Sequence, residues 1–256
     1  MNNIIPLFSS QGSICRSLLT CEDETEIKDN SPVSIFAIAA QYGLNKLVVT
    51  DNSFLEFPRL YKHCNKYNIQ LIFGLNLNIC NNAQDKTESS LLSNCKVSVL
   101  MKNSEGYRDL IKLNNAFNAQ KETFYYESRN DYNALKSHCT DNLQLLIPPH
   151  NNFLEKNLIF NGSALPDLGT IKPIMTYCDI ELPYTQVVNP AIKQYAKENK
   201  YELQEVQPIY YMNRTDFRPY SVLRCISDRT KFNSPNINYM SSAEFCWESY
   251  LEKVNK

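Results

Sequence analysis

The sequence is poor in the side chains that most often build a metal centre, and its charges nearly cancel. It contains three histidines, His63, His138 and His150, which lie far apart in the chain. We expect each of them to face solvent or to form local hydrogen bonds rather than to share one metal ion. The 26 basic and 27 acidic side chains give a net charge of -1. This balance argues against the broad basic surface of a protein that binds nucleic acid on its own.

A cysteine motif for metal binding and a membrane segment are also missing. The nine cysteines are scattered along the chain without a C-x-x-C pair, so their spacing does not indicate a zinc site. The sequence shows neither a signal-peptide pattern nor an apolar run long enough to cross a bilayer. We therefore expect a cytoplasmic protein, without membrane association, whose thiols are reduced and mostly buried.

What the sequence does contain is the periodicity of an α/β domain. At 256 residues with 43% hydrophobic side chains, the chain is long enough for one sizeable core. Ser31 and Pro32 predict the start of a helix that Gly43 ends, and an apolar run within 46–50 predicts the strand that follows. Further strands are predicted at 70–73, 97–101 and 143–147, with helices at 58–67, 107–117 and 190–198. This alternation predicts βαβ crossovers and a parallel sheet.

Several segments, in order along the chain, match the spacing of known motifs. Pro6 to Ile14 resembles H-x-H-S-x-Y-S-L, and Ala39 to Asn52 resembles A-x-x-x-G-M-x-A-L-A-L-T-D-H. Leu100 to Leu113 is similar to L-A-x-N-x-x-G-Y-x-N-L-x-K-L, Ile209 to Asn213 to V-H-Y-L-N, and Asn238 to Phe245 to F-x-S-x-E-F. Together these segments resemble the polymerase and histidinol phosphatase (PHP) domain of bacterial DNA polymerase III alpha subunits. The segment that begins at Leu100 indicates a polymerase, because other PHP phosphatases lack it.

The resemblance implies a distorted (β/α)7 barrel, similar to a TIM barrel, and the periodicity allows roughly six or seven strand and helix units. We expect a single PHP-like domain over residues 1–256. Two polar, turn-rich stretches at 80–94 and 151–172 are expected to be surface insertions or mobile loops. The parent family is a DNA-directed DNA polymerase that carries a PHP phosphoesterase domain.

The metal ligands of the family, carried over position by position, are absent from this chain. The family's ligand positions correspond to Leu7, Ser9, Arg16, Asn52, Asn76, Lys96, Pro149, Pro208 and Tyr210, and of these motifs only Asp51 survives. Clustered imidazoles and carboxylates are needed to hold divalent ions and to lower the pKa of a bound water. We therefore expect no bound metal, no other cofactor and no catalytic residue. The ring of Tyr210 is expected to fill the vacated cavity.

Three functions remain open on the sequence. The favoured one is a catalytically inactive PHP-like domain, a pseudoenzyme that acts as a structural or docking module in DNA replication. For this role the resemblance implies a polymerase body or a proofreading exonuclease subunit as the partner, with only indirect contact to DNA. The alternatives are an active metal-dependent phosphoesterase, with proofreading or pyrophosphatase activity, and a free-standing phage-like protein that binds a host replication factor.

Overall fold

The structure, a computed structural model, describes residues 4–12, 16–23, 25, 32–118, 121–232 and 242–255. The strands within these ranges are β1 (Ile5–Phe8), β2 (Lys46–Asp51), β3 (Gln70–Cys80), β4 (Cys95–Met101), β5 (Asn130–Asp131), β6 (Leu143–Ile147), β7 (Ile174–Tyr177) and β8 (Glu202–Ile209). The helices are α1 (Ile35–Tyr42), α2 (Phe57–Lys66), α3 (Ser104–Asn118), α4 (Tyr132–His138), α5 (Phe153–Ile159), α6 (Thr185–Asn199), α7 (Phe217–Asp228) and α8 (Trp247–Val254).

The pairing order of the strands is that of a closed barrel. The strands hydrogen-bond in the order β2-β1-β8-β7-β6-β4-β3-β5, and β2 also pairs with β3. Seven strands therefore close into a ring, and the short β5 pairs with the last two residues of β3. The predicted α/β barrel of seven strands is confirmed.

The predicted direction is wrong for one strand of the sheet. β1 runs parallel to β2 and to β8, as expected, but β4 is antiparallel to both β3 and β6. The connection from β3 to β4 contains only the short 3₁₀ helix Glu88–Ser93. Residues 81–94 thus include no α-helix, the element that usually forms the crossover between parallel strands.

The first helix begins later than the sequence predicts. Ser31 lies outside the described residues, and Pro32 is exposed and precedes the helix. The N-cap is Ser34, whose side-chain oxygen accepts a hydrogen bond from the N–H of Phe36 at 3.0 Å. Gly43 ends the helix as predicted. Its φ of 64° lies in the left-handed region, which glycine adopts without strain.

Two compact units divide the chain, and each has a buried core. The first unit consists of Met1–Phe73, Asp179–Pro183 and Glu205–Lys256, and the second consists of Gly74–Cys178 and Tyr184–Gln204. In the core of the first unit, the ring of Phe8 stacks on Trp247 with the centroids 5.7 Å apart. In the second unit, Leu75 and Val99 are fully buried register partners of β3 and β4. The prediction of a single domain stays a prediction.

The two polar stretches of the sequence are joined within the second unit. Residues 80–94 include the 3₁₀ helix, and residues 151–172 include α5. Asn81 connects them, because its Nδ2 donates to the carbonyl of Ser163 and its Oδ1 accepts from the N–H of Leu165, both at 2.7 Å. Within the described ranges, we find no helix with the length and apolarity to cross a membrane.

Candidate functional site

In the first unit, the residues at the ends of β1 and β2 form a hydrogen-bonded group. Ser10 donates twice to the buried carboxylate of Asp51, from its backbone N–H to Oδ1 at 2.9 Å and from its hydroxyl to Oδ2 at 2.5 Å. The hydroxyl of Ser9 donates to the carbonyl of Thr50 at 2.8 Å. Both oxygens of Asp51 thus accept hydrogen bonds from the chain itself, which offsets the cost of burying the carboxylate.

Apolar side chains stand at two of the former metal positions in the same unit. Leu7 and Pro208 are register partners between β1 and β8, and both are buried. Leu7 is also the register partner of Val48 in β2. Because register partners share one face of a sheet, these three positions form an apolar patch. Their side chains provide no nitrogen or oxygen atom that could bind a metal.

Tyr210 follows β8, and its half-buried ring stacks on Tyr220 with the centroids 5.6 Å apart and an angle of 8° between the planes. Its backbone N–H donates to the carbonyl of Phe245 at 3.0 Å, and its carbonyl accepts from the N–H of Leu18 at 2.8 Å. The carbonyl of the half-buried Arg16 accepts a hydrogen bond from the Tyr220 hydroxyl at 3.2 Å. The Tyr210 ring is therefore held by aromatic packing, and its role in filling a former metal cavity stays a prediction.

Cys21 interacts with the Ser10 and Asp51 group, and no sequence motif singles it out. Burial raises the pKa of its thiol well above the ordinary value, and the carboxylates of Asp51 and Glu56 raise it further, against a smaller opposing effect of Ser10. The thiol is therefore held in its neutral form. No local spacing indicates this contact, because the fold brings distant segments together. Asn52, the next former metal position, is exposed in the turn after β2.

In the second unit, Asn76 and Ser98 are register partners in the antiparallel pair of β3 and β4. The hydroxyl of Ser98 donates to Oδ1 of Asn76 at 2.6 Å. Lys96, in the same strand as Ser98, is half-buried, and its backbone N–H donates to the carbonyl of Asn151 at 2.7 Å. The side-chain oxygen at position 76 is thus engaged within the sheet.

A titratable pair lies directly after the buried Pro149 in the second unit. Nδ1 of His150 is 3.6 Å from Oε2 of Glu155, and the two side chains are 9% and 1% exposed. The same Oε2 accepts the N–H of Asn151 at 3.0 Å. The sequence predicts a solvent-facing or locally hydrogen-bonded His150, whereas the structure buries its side chain beside Glu155, which the sequence analysis missed. The available signal was the spacing of Asn152, the N-cap of α5, and the glutamate three residues later.

The side chains do not fit the metal centre that the resemblance implies. Within the described parts of the chain, no three side chains of histidine, cysteine, aspartate or glutamate are grouped so that they could hold a metal ion. Asn76, Lys96 and Pro149 belong to the second unit, and the other former metal positions belong to the first. Within each unit these residues therefore offer internal hydrogen bonds and apolar contacts, without a ligand set for a metal ion among the described side chains.

Comparisons with known proteins agree with the barrel topology. The family model described as the PHP domain matches residues 29–203, which is more than half of the chain. The DNA polymerase III subunit alpha of Staphylococcus aureus (strain MRSA252) is 25% identical over 219 residues, which cover 85% of this chain. The match spans only 17% of the length of that relative. Because the family model matches more than half of the chain, this chain belongs to the PHP domain family.

Proposed function

We propose that this chain is a catalytically inactive PHP domain that serves as a structural or docking module in DNA replication. The observation that carries the proposal is how the former metal positions are used. Leu7 and Pro208 form part of a buried apolar patch, and the side-chain oxygens of Asp51 and Asn76 accept hydrogen bonds from serine hydroxyls. These contacts stabilise the fold without requiring a cation.

The chemistry of the remaining side chains supports inactivity. Metal-assisted hydrolysis of a phosphoester needs ligands that fix the ions and activate a water molecule. Leucine and proline side chains provide no ligand atom. The positive charges of Arg16 and Lys96 repel a cation and are not available as ligands while the groups are protonated.

The replication context rests on similarity. The relative named DNA polymerase III subunit alpha covers most of this chain, although the chain spans a small part of that protein. We infer a polymerase body or a proofreading exonuclease subunit as the partner. A net charge of -1 supports indirect rather than direct contact with DNA, because direct binding draws mainly on basic side chains.

The test of inactivity measures metal content and turnover together. The full chain, expressed with supplementary manganese and zinc, is expected to contain substoichiometric metal by mass spectrometry. It is also expected to hydrolyse no p-nitrophenyl phosphate in the presence of Mn²⁺. The Asp51→Asn variant removes the surviving acidic position and should change neither result. Stoichiometric metal with turnover that a chelator abolishes would overturn the proposed inactivity.

The test of docking uses purified replication proteins. Size-exclusion chromatography should show co-elution of the full chain with a proofreading exonuclease subunit or with an alpha subunit from which the PHP domain was removed. A parallel titration with DNA at physiological salt should show only weak binding. Tight DNA binding without association to either protein would contradict the docking function.

A further inference from the structure

Helix α7 and the residues that follow it carry exposed apolar and basic side chains. The helix packs through its other face, where Tyr220 and Arg224 are 1% and 7% exposed. Tyr220 stacks on Tyr210, so this packing joins α7 to a former metal position. Six of the exposed residues form what we term the α7 strip: Arg218, Val222, Ile226, Arg229, Lys231 and Phe232.

The α7 strip contains three exposed apolar side chains. Arg218, Val222 and Ile226 follow one another at intervals of four residues, which places them on one face of the helix. Val222 is 45% exposed, Ile226 67% and Phe232 50%. Single exposed apolar residues are ordinary on protein surfaces, whereas exposed apolar patches mark binding sites.

The charged part of the α7 strip is entirely positive. Arg218, Arg229 and Lys231 form no ion pair with any side chain that the structure describes. Arg214, just before the helix, differs, because two of its guanidinium nitrogens lie 2.6 Å from the carboxylate of Glu252. In a chain whose net charge is -1, these three cations form a local basic segment.

We propose that the α7 strip binds an amphipathic protein segment whose apolar face is flanked by carboxylates. Such a segment covers Val222, Ile226 and Phe232 and pairs its acidic side chains with the neighbouring cations. A nucleic acid backbone satisfies the cations but leaves the three apolar side chains in water. The proposal deepens the docking function and rests on it.

Arg229 supplies a variant that separates binding from stability. It is the C-cap of α7, with a φ of 53°, and its backbone N–H donates to the carbonyl of Cys225. Glycine is favoured in this left-handed conformation. Arg229→Gly therefore removes a charge from the strip while relieving the backbone, so the thermal midpoint should stay the same or rise.

The experiment measures peptide binding to the full chain by fluorescence anisotropy at physiological salt. The probe is a labelled helical peptide with leucine along one face and glutamate beside it, and its control has lysine at every glutamate position. The glutamate peptide should bind at least about tenfold more tightly than the lysine peptide. Ile226→Asp and Arg229→Gly should each weaken it by about fivefold or more. Two control variants should leave peptide binding unchanged. These are Leu158→Asp on α5, at a side chain that is 50% exposed, and Lys62→Glu on α2.

Each other outcome contradicts the proposal. Absence of peptide binding, equal binding of the two peptides, or unchanged binding to Ile226→Asp would overturn it. Duplex DNA that binds more tightly than the peptide, and is lost in Arg229→Gly, would assign the strip to nucleic acid instead. Circular dichroism melts establish that each variant is folded. Because this experiment uses neither metal content nor replication proteins, its failure can be distinguished from a failure of the proposed function.

Discussion

Replacing Gly106 by alanine should destabilise the protein, against the usual preference of helices. In an exposed helix interior, alanine is favoured over glycine by about 1 kcal/mol. Gly106 is instead buried in the first turn of α3, where an added Cβ would lie 2.5 Å from the carbonyl oxygen of Asn142 and 3.3 Å from Cα of Met101. That carbonyl accepts a hydrogen bond from the N–H of Lys102 at 3.0 Å, which opposes its displacement.

The expected change in the free energy of unfolding is the sum of two costs and one gain. Overpacking a close contact costs about 1–3 kcal/mol, and weakening the hydrogen bond to Asn142 adds about 1 kcal/mol, against at most about 1 kcal/mol gained in helix propensity. We expect a net loss of about 1–3 kcal/mol for Gly106→Ala in urea unfolding followed by circular dichroism. Asn115→Ala, on the exposed face of the same helix, is the matched control and should be neutral or slightly stabilising. The reasoning fails if Gly106→Ala is as stable as the unchanged chain.

Two further predictions concern polar groups. Asn76→Ala should lower the free energy of unfolding in urea by about 1–3 kcal/mol, because it removes the acceptor of the Ser98 hydroxyl. Asn52→Ala, at an exposed position, should change it by less than about 0.5 kcal/mol. Equal losses in the two variants would contradict a stabilising role of the Ser98–Asn76 bond. The Thr140 hydroxyl, followed by two further donors, lowers the pKa of Asp109 to about 2 from its ordinary value of 3.8. The ionised Asp109 carboxylate should therefore stabilise the fold fully above the ordinary pKa, and this contribution should be lost as the pH falls toward 2. An NMR titration of this carboxyl with a midpoint near 4 would refute the prediction.

The strands were predictable where a short apolar run lies between polar or turn-forming residues. The runs at β2 and β6 gave bounds within one residue of the observed Lys46–Asp51 and Leu143–Ile147. The direction of β4 was not predictable in this way, because it depends on how the β3 to β4 connection closes rather than on local periodicity. The helix predicted at 190–198 starts too late, because α6 begins at Thr185 and includes Pro190.

The residue types at the predicted ligand positions could be read from the sequence, but the contacts that these residues make could not. The Ser10 bonds to Asp51 and the Ser98 bond to Asn76 join separate strands. Their sequence neighbours contain no spacing that specifies them, since register between strands is set by the whole sheet. The contact of Cys21 with the same group was hidden for the same reason.

The stacking of Tyr210 on Tyr220 joins the end of β8 to α7. Tyr220 also contacts Tyr211, with the ring centroids 4.9 Å apart, so two consecutive tyrosines after β8 hold one side chain of α7. Aromatic pairs of this kind contribute about 0.5–1.5 kcal/mol beyond their buried area. A helix fixed in this way presents Val222 and Ile226 with less entropy to lose on binding than a mobile segment would have. The tyrosine at a former metal position therefore supports the helix that carries the proposed docking surface.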